Sequence, residues 1–156
     1  MDKRKLYMGY AWFNDKQLDM MNKGLNLLKD NSSVDWENSY RPLEHQYDGI
    51  NVEDDPSVMR RVDWQGETVK ADEDALRDAS AGVFLYNPSE PDEGITAEIA
   101  FLYAIGKPTV LVIPDEDKTP INLMPAKWST AIIKLSELKK YNFNKILHQT
   151  YHGDIY

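Results

Sequence analysis

From Ala81 to Ile113 the chain reads AGVFLYNPSEPDEGITAEIAFLYAIGKPTVLVI. The runs Ala81–Tyr86 and Thr109–Ile113 are apolar, short and bounded by turn residues, the pattern of strands buried on both faces of a parallel sheet. Between them, Gly94–Gly106 reads as a short apolar helix, closed by Gly106 as C-cap and by Pro108. A strand, a helix and a second strand of these lengths make a parallel crossover unit, and this unit decides the fold class. One residue breaks its pattern. At about 100° per residue, Glu98 falls in the middle of an arc formed by Ile95, Phe101, Leu102 and Ile105. A carboxylate on an apolar face is costly unless it is paired or hydrogen-bonded, so the position is either functional or a half-solvated carboxylate near the helix start, favoured there by the helix dipole.

Working outward, Lys5–Ala11 repeats the buried-strand pattern and Ala131–Lys134 supplies a fourth run; Ser39-Tyr40 fits a short edge strand. Asn14 is placed to cap a helix through Lys29, with Leu18, Met21, Leu25 and Leu28 on one face. A further helix is expected from about Pro56 to Asp78, with Val58, Val62, Val69, Ala75 and Leu76 as its sparse apolar set. The alternation predicts a doubly wound α/β domain spanning residues 1–156, with about five mainly parallel strands and helices on both faces. Two long polar loops, 41–56 and 114–130, interrupt it, and loops of this length in a compact domain are often functional. Ligands of such sheets bind beyond the carboxyl ends of the strands near the switch point, which nominates Trp12-Phe13, Asn87–Glu93 and the residues from Pro114 onward.

Composition excludes several classes. With 156 residues, 42% hydrophobic and 28% charged, the chain fits one globular domain. It has no cysteine, and His45, His148 and His152 lack metal-ligand spacing, so neither disulfides nor a metal site is expected. The net charge of −8 argues against a nucleic-acid polymer as partner. No apolar run is long enough to span a bilayer, and Met-Asp-Lys-Arg-Lys is not the start of a signal peptide, so a cytoplasmic protein without membrane contact is expected.

The first strand is followed by neither a G-x-G-x-x-G turn nor a P-loop, which disfavours dinucleotides and nucleoside triphosphates. It ends instead in Trp12 and Phe13, whose rings either stack on a flat heterocycle or pack under the first helix. Carboxylates are plentiful around the same crevice: Asp92 and Glu93 before the Glu98 helix, and Asp72, Glu73, Asp74 and Asp78 on the preceding one. A nucleophilic carboxylate facing a second that handles a proton is the retaining arrangement for chemistry at an anomeric carbon. A helix N-terminus is expected to keep Glu98 ionised.

The segments Tyr7-x-Gly-x-x-Trp-Phe13, Glu37-Asn-Ser-Tyr40, Pro42-Leu43, Gln46-Tyr47, Gly49-Ile50, Asp92-x-Gly94-x-x-x-Glu98, Pro108–Asp117, Pro120-Ile-Asn-Leu-Met124, Asn142-Phe-Asn-Lys145 and Gly153-x-x-Tyr156 occur in an order and spacing that resemble the nucleoside 2-deoxyribosyltransferases of lactic acid bacteria. The resemblance implies a flavodoxin-like fold, a homohexamer built from dimers, and transfer of 2'-deoxyribose between nucleobases without a cofactor. It implies Glu98 as the nucleophile, Asp72 and Asp92 lining the base and handling its proton, and Tyr7 orienting Glu98. Trp12, Phe13 and Gln46 would form the base pocket, while Asn122, Met124 and the C-terminal Tyr156 would reach a neighbouring subunit's site.

Two other functions compete. A hydrolase of the same superfamily acting on deoxynucleoside 5'-monophosphates would need a phosphate site, for which the crevice motifs offer no Gly-rich turn or Arg cluster. A receiver-like signalling domain would need a phosphoacceptor Asp after the central strand and an acidic pair after the first; Asn87 and Trp12-Phe13 stand there instead.

Overall fold

The structure, a computed structural model, describes residues 2–156. Four strands form one parallel sheet in the order β1 (Leu6–Gly9), β2 (Ala81–Leu85), β3 (Thr109–Ile113), β4 (Ala131–Lys134). Every neighbouring pair is parallel, with Tyr7 opposite Gly82, Val83 opposite Val110 and Leu111 opposite Ile132. The sheet has four strands where about five were expected. The chain does return to the outer edge of β1, but only as isolated bridges, Arg4 to Val34 and Tyr7 to Tyr40. Between them the Asp35 carboxylate accepts from the Asn38 side chain and Ser39 N–H closes on the Asp35 carbonyl. That tight turn consumes the residues that would have extended the ladder. The Ser39 hydroxyl instead accepts from the Leu6 amide, in place of a strand partner.

Strand residues alternate between two cores, as a pleated sheet requires. Leu6, Met8, Val83, Leu85, Val110 and Val112 face α1 (Asp15–Lys29) and the segment around Leu138 and Phe143. Tyr7, Phe84, Leu111 and Ile113 face α2 (Val62–Asp78), α3 (Glu93–Ala104) and the short α4 (Leu123–Trp128). The architecture is a doubly wound α/β layer with helices on both faces, as expected, and its switch point lies between β1 and β2.

The helices depart from the sequence reading in instructive places. Asn14 caps α1 through the Gln17 amide, as expected, but Leu18 is exposed and the packed face is Met20, Met21, Gly24 and Leu28. A side chain at Gly24 would collide with Leu85, so glycine is what lets α1 lie close on β2. The expected helix from Pro56 breaks at Arg61 into a 3-10 turn, Pro56–Arg60, and α2. Val62 and Val69 are 80% and 64% exposed; Trp64, buried with its indole N–H on the Ile50 carbonyl, anchors α2 in their stead. The loop expected over 114–130 contains α4, capped by Asn122. α3 ends as foreseen: Gly106 adopts φ 73°, and Lys107 N–H reaches back to Leu102. No helix among the described residues is long and apolar enough to cross a membrane.

Candidate active site

α3 and β1 build the centre of the site. Along β1, Tyr7 and Gly9 point to the same face, toward α3. Tyr7 is fully buried, and its hydroxyl donates to Glu98 Oε1 at 2.8 Å. Glu98 Oε2 lies against Gly9, where a Cβ would come within 2.9 Å of it and 2.2 Å of Phe84 Cδ1. Only glycine permits that approach. The buried stripe of α3 is Ile95, Ile99 and Leu102, while Ile105 is exposed, so Glu98 stands beside the apolar arc rather than at its centre.

The electrostatics of Glu98 differ from the expectation of an ionised carboxylate. α3 begins at Glu93, which puts Glu98 in the second turn, beyond the reach of the helix-end dipole. Burial pushes the Glu98 carboxyl up from its ordinary value to about 8; the Tyr7 hydrogen bond pulls downward, and the charges of Asp72 and Asp92 push up again. Although the residue as a whole is only half-buried, its carboxyl group sits in the desolvated angle between Gly9, Phe84 and Tyr7. Burial also raises the Tyr7 hydroxyl far out of its ordinary range, so it stays a donor at any working pH.

Asp92 is the N-cap of α3. Its Oδ2 accepts from the Ile95 amide at 2.9 Å, and Gly94 leaves room for that oxygen. Asp72 comes from α2 and is half-buried; burial raises its carboxyl, against the Tyr40 hydrogen bond and the nearby His45. The Tyr40 hydroxyl donates to Asp72 Oδ1 at 2.8 Å. Tyr40 is stacked on Tyr7 with ring centroids 5.5 Å apart, and His45 stacks on the outer face of Tyr40 at 4.7 Å. Thus Tyr7 bonds Glu98 directly, and Asp72 and Asp92 lie near enough for their charges to act on it. Sequence reasoning assigned no role to Tyr40 or Gly9. Ser39-Tyr40 was expected only as part of a short edge strand; the structure sets Tyr40 beside Tyr7 through a parallel bridge.

The remaining candidates form two outlying groups. Trp12 packs on the α1 side of the sheet and lies against Phe13 at 5.0 Å, leaving Phe13 68% exposed at the mouth of the β1 end. Gln46 sits in the 41–56 loop with its carboxamide oxygen accepting from the Val52 amide. The C-terminus folds back on its own chain: Ile121 and Ile155 form a parallel bridge, and Leu123 N–H donates to the Tyr156 carbonyl. This clamp gathers Asn122, Met124 and Tyr156 and leaves Met124 and Tyr156 exposed. Tyr86 stands near both the clamp and Asp92: burial, with Tyr156 and Asp92 nearby, pushes its hydroxyl up to about 12. Among the described residues, no group of three or more His, Cys, Asp or Glu side chains is arranged to hold a metal ion. A cavity of about 910 Å³ lies on the α1 face between α1 and the loop after β3, and none of these carboxylates lines it. The site is therefore located by converging carboxylates and their tyrosine donors rather than by cavity size.

Carboxylates gathered beyond the carboxyl ends of a parallel α/β sheet fit acid–base and nucleophilic chemistry at an anomeric carbon. The profile of the nucleoside 2-deoxyribosyltransferase family matches residues 6–144, and the chain belongs to that family, whose members are transferases. It is 38% identical over 157 residues to the nucleoside deoxyribosyltransferase of Lactobacillus leichmannii, covering the whole of both chains. It is 34% identical over 149 residues to that of Lactobacillus johnsonii, covering 94% of this chain and 99% of the other. The fold matches the 2-deoxyribosyltransferase of Bacillus psychrosaccharolyticus with a TM-score of 0.76 at 22% identity, covering 94% of this chain and 98% of that one. A conserved protein of Enterococcus faecalis matches with a TM-score of 0.62 at 19% identity, covering 88% and 98%.

Proposed function

We propose that this enzyme moves 2'-deoxyribose between purine and pyrimidine bases by double displacement at Glu98. The observation that carries the reading is the carboxylate of Glu98 held by the Tyr7 hydroxyl at 2.8 Å in the desolvated angle between Gly9, Phe84 and Tyr7, with the charges of Asp72 and Asp92 close enough to act on it. A Glu98 oxygen attacks C1' of a 2'-deoxynucleoside. The C1'–N bond breaks with its electron pair on the base nitrogen, and Asp72 or Asp92 protonates the departing base. A second base then attacks C1' of the glycosyl ester, gives up its proton to the same acids and frees Glu98. Two inversions give net retention. Desolvation suits the nucleophile, since a carboxylate stripped of water is raised in energy until C1' neutralises it. Phe13 and Trp12 would offer ring faces for the bases, and Gln46 would help position the ligand.

In this reading the enzyme is a cytoplasmic homohexamer, and the group of Asn122, Met124 and Tyr156, the last two exposed, meets a neighbouring subunit to complete its site. Symmetric closure makes that economical, because one interface serves two sites. Thymidine and adenine incubated with the enzyme should yield deoxyadenosine and thymine, and a Glu98→Ala variant should yield neither. Release of free deoxyribose without deoxyadenosine would point instead to a hydrolase.

A further inference from the structure

The geometry points to Tyr40 as a positioning residue that acts through Asp72 on the proton of the departing base; this rests on the function proposed above. Two tyrosine–carboxylate pairs lie side by side, Tyr7 on Glu98 and Tyr40 on Asp72, both at 2.8 Å, with their rings stacked. One pair serves the sugar and the other the base. Tyr40 is fixed from three directions. Its amide donates to the Leu6 carbonyl and its carbonyl accepts from the Met8 amide, pinning its backbone to β1. Its ring lies between Tyr7 and His45. Its hydroxyl takes Asp72 Oδ1, leaving Oδ2 as the oxygen able to carry a proton.

That division has a chemical consequence. Burial pushes the Asp72 carboxyl up from its ordinary value, and with Oδ1 taken by Tyr40 the oxygen left to carry a proton to the base is Oδ2. As the C1'–N bond breaks, the electron pair goes to the base nitrogen and the proton passes from Oδ2 to that nitrogen. Asp72 is left as a carboxylate beside the Tyr40 hydroxyl. A hydrogen bond to an ionised acceptor is about twice as strong as one to a neutral acceptor. The Tyr40 bond therefore strengthens as the proton leaves, and stabilisation that grows toward the transition state accelerates the step. In the second half-reaction the acceptor base returns its proton to Oδ2.

The test uses Tyr40→Phe, which keeps both ring stacks, with two donors: thymidine, and the deoxynucleoside of 5-fluorouracil, a more acidic base that departs with less help from a proton. In the variant, kcat/KM for thymidine should fall about tenfold or more. The fluorinated donor should lose much less. The ratio of the two values in one sample is independent of how much protein is folded, so a destabilised variant still gives a decisive answer. In an Asp72→Asn background, adding Tyr40→Phe should change the ratio no further. Equal losses for both donors, or full additivity with Asp72→Asn, would overturn the role of Tyr40 while leaving base exchange intact. Absence of exchange in the wild-type enzyme would overturn the proposed function, and this role with it.

Discussion

Replacing Tyr7 with Phe deletes one oxygen from the centre of the site and leaves the ring in its place beside Phe84 and Tyr40. The lost interaction is a 2.8 Å hydrogen bond to a carboxylate. Bonds of that kind contribute about 1.5–3 kcal/mol, and about 1.4 kcal/mol corresponds to one pH unit. The Glu98 carboxyl, already at about 8 through burial, should therefore rise by about one to two further units. Only the ionised carboxylate attacks C1', and that form is lost as pH falls through the pKa. In the wild-type enzyme the Glu98 contribution to kcat/KM should rise with pH through about 8, while loss of the proton carried for the base lowers wild type and variant alike, so the ratio of the two profiles reports on Glu98. In Tyr7→Phe the rising limb should move to higher pH, so the activity ratio at pH 7 is about ten- to hundredfold and narrows toward pH 10. Deoxyadenosine as donor keeps the base from titrating in the alkaline range. The Tyr7 hydroxyl itself cannot supply the limb, because burial holds it far above its ordinary value. A Tyr7→Phe profile that is merely scaled down, with its limb unmoved, would refute the coupling between Tyr7 and Glu98 ionisation.

The raised Glu98 carboxyl also bears on stability. The folded protein keeps a proton between 4.5 and about 8 that the unfolded chain gives up, so its stability falls as pH rises through that window. Glu98→Gln should melt higher than wild type at pH 8, with the difference shrinking toward pH 5; calorimetry across that range checks it, and a constant difference would contradict it. Gly9→Ala should lose activity and about 1–3 kcal/mol of stability by overpacking, since its Cβ meets Phe84 and Glu98 Oε2 at once; activity and thermal melting read the two effects. Light scattering should give six subunits. Mixing inactive Glu98→Ala with inactive Asn122→Ala subunits should restore part of the activity, and no recovery in verified mixed oligomers would remove the shared site.

Much of the fold was legible because buried parallel strands announce themselves. Ala81–Leu85, Thr109–Ile113 and Ala131–Lys134 lie where their apolar runs are, and Asn14 and Gly106 cap the helices they were expected to cap. The misread elements share one cause: local pattern does not say which neighbour arrives. Val62 and Val69 suited a helix face, yet Trp64 won the contact because the Ile50 carbonyl was there to receive its indole. Ser39-Tyr40 suited a strand, but Asp35 had a nearer partner in Asn38 and turned the chain. At the site, Glu98 stood out as a charge on an apolar helix, while Tyr40 did not, since a tyrosine beside a strand breaks no pattern.

The expectation that failed most usefully was the charge state of Glu98. A dipole-stabilised carboxylate would be comfortable in the resting enzyme, and a comfortable nucleophile reacts poorly. The chain does the opposite. It sets Glu98 one turn beyond the helix end, clears space for it with Gly9, closes Phe84 and Tyr7 around it, and leaves two further carboxylates near enough to oppose its charge. Each choice lifts the energy of the ionised form, and only the Tyr7 hydrogen bond lowers it. In the proposed mechanism, the charge that is poorly tolerated in the free enzyme is consumed when the bond to C1' forms, because the glycosyl ester is neutral. If Glu98 is the nucleophile proposed above, the same desolvation that destabilises the folded protein above neutral pH lowers the barrier to covalent bond formation. It follows that substitutions which relax the site by admitting water should stabilise the fold and slow the first displacement together, a paired change that a purely structural role for Glu98 would not produce.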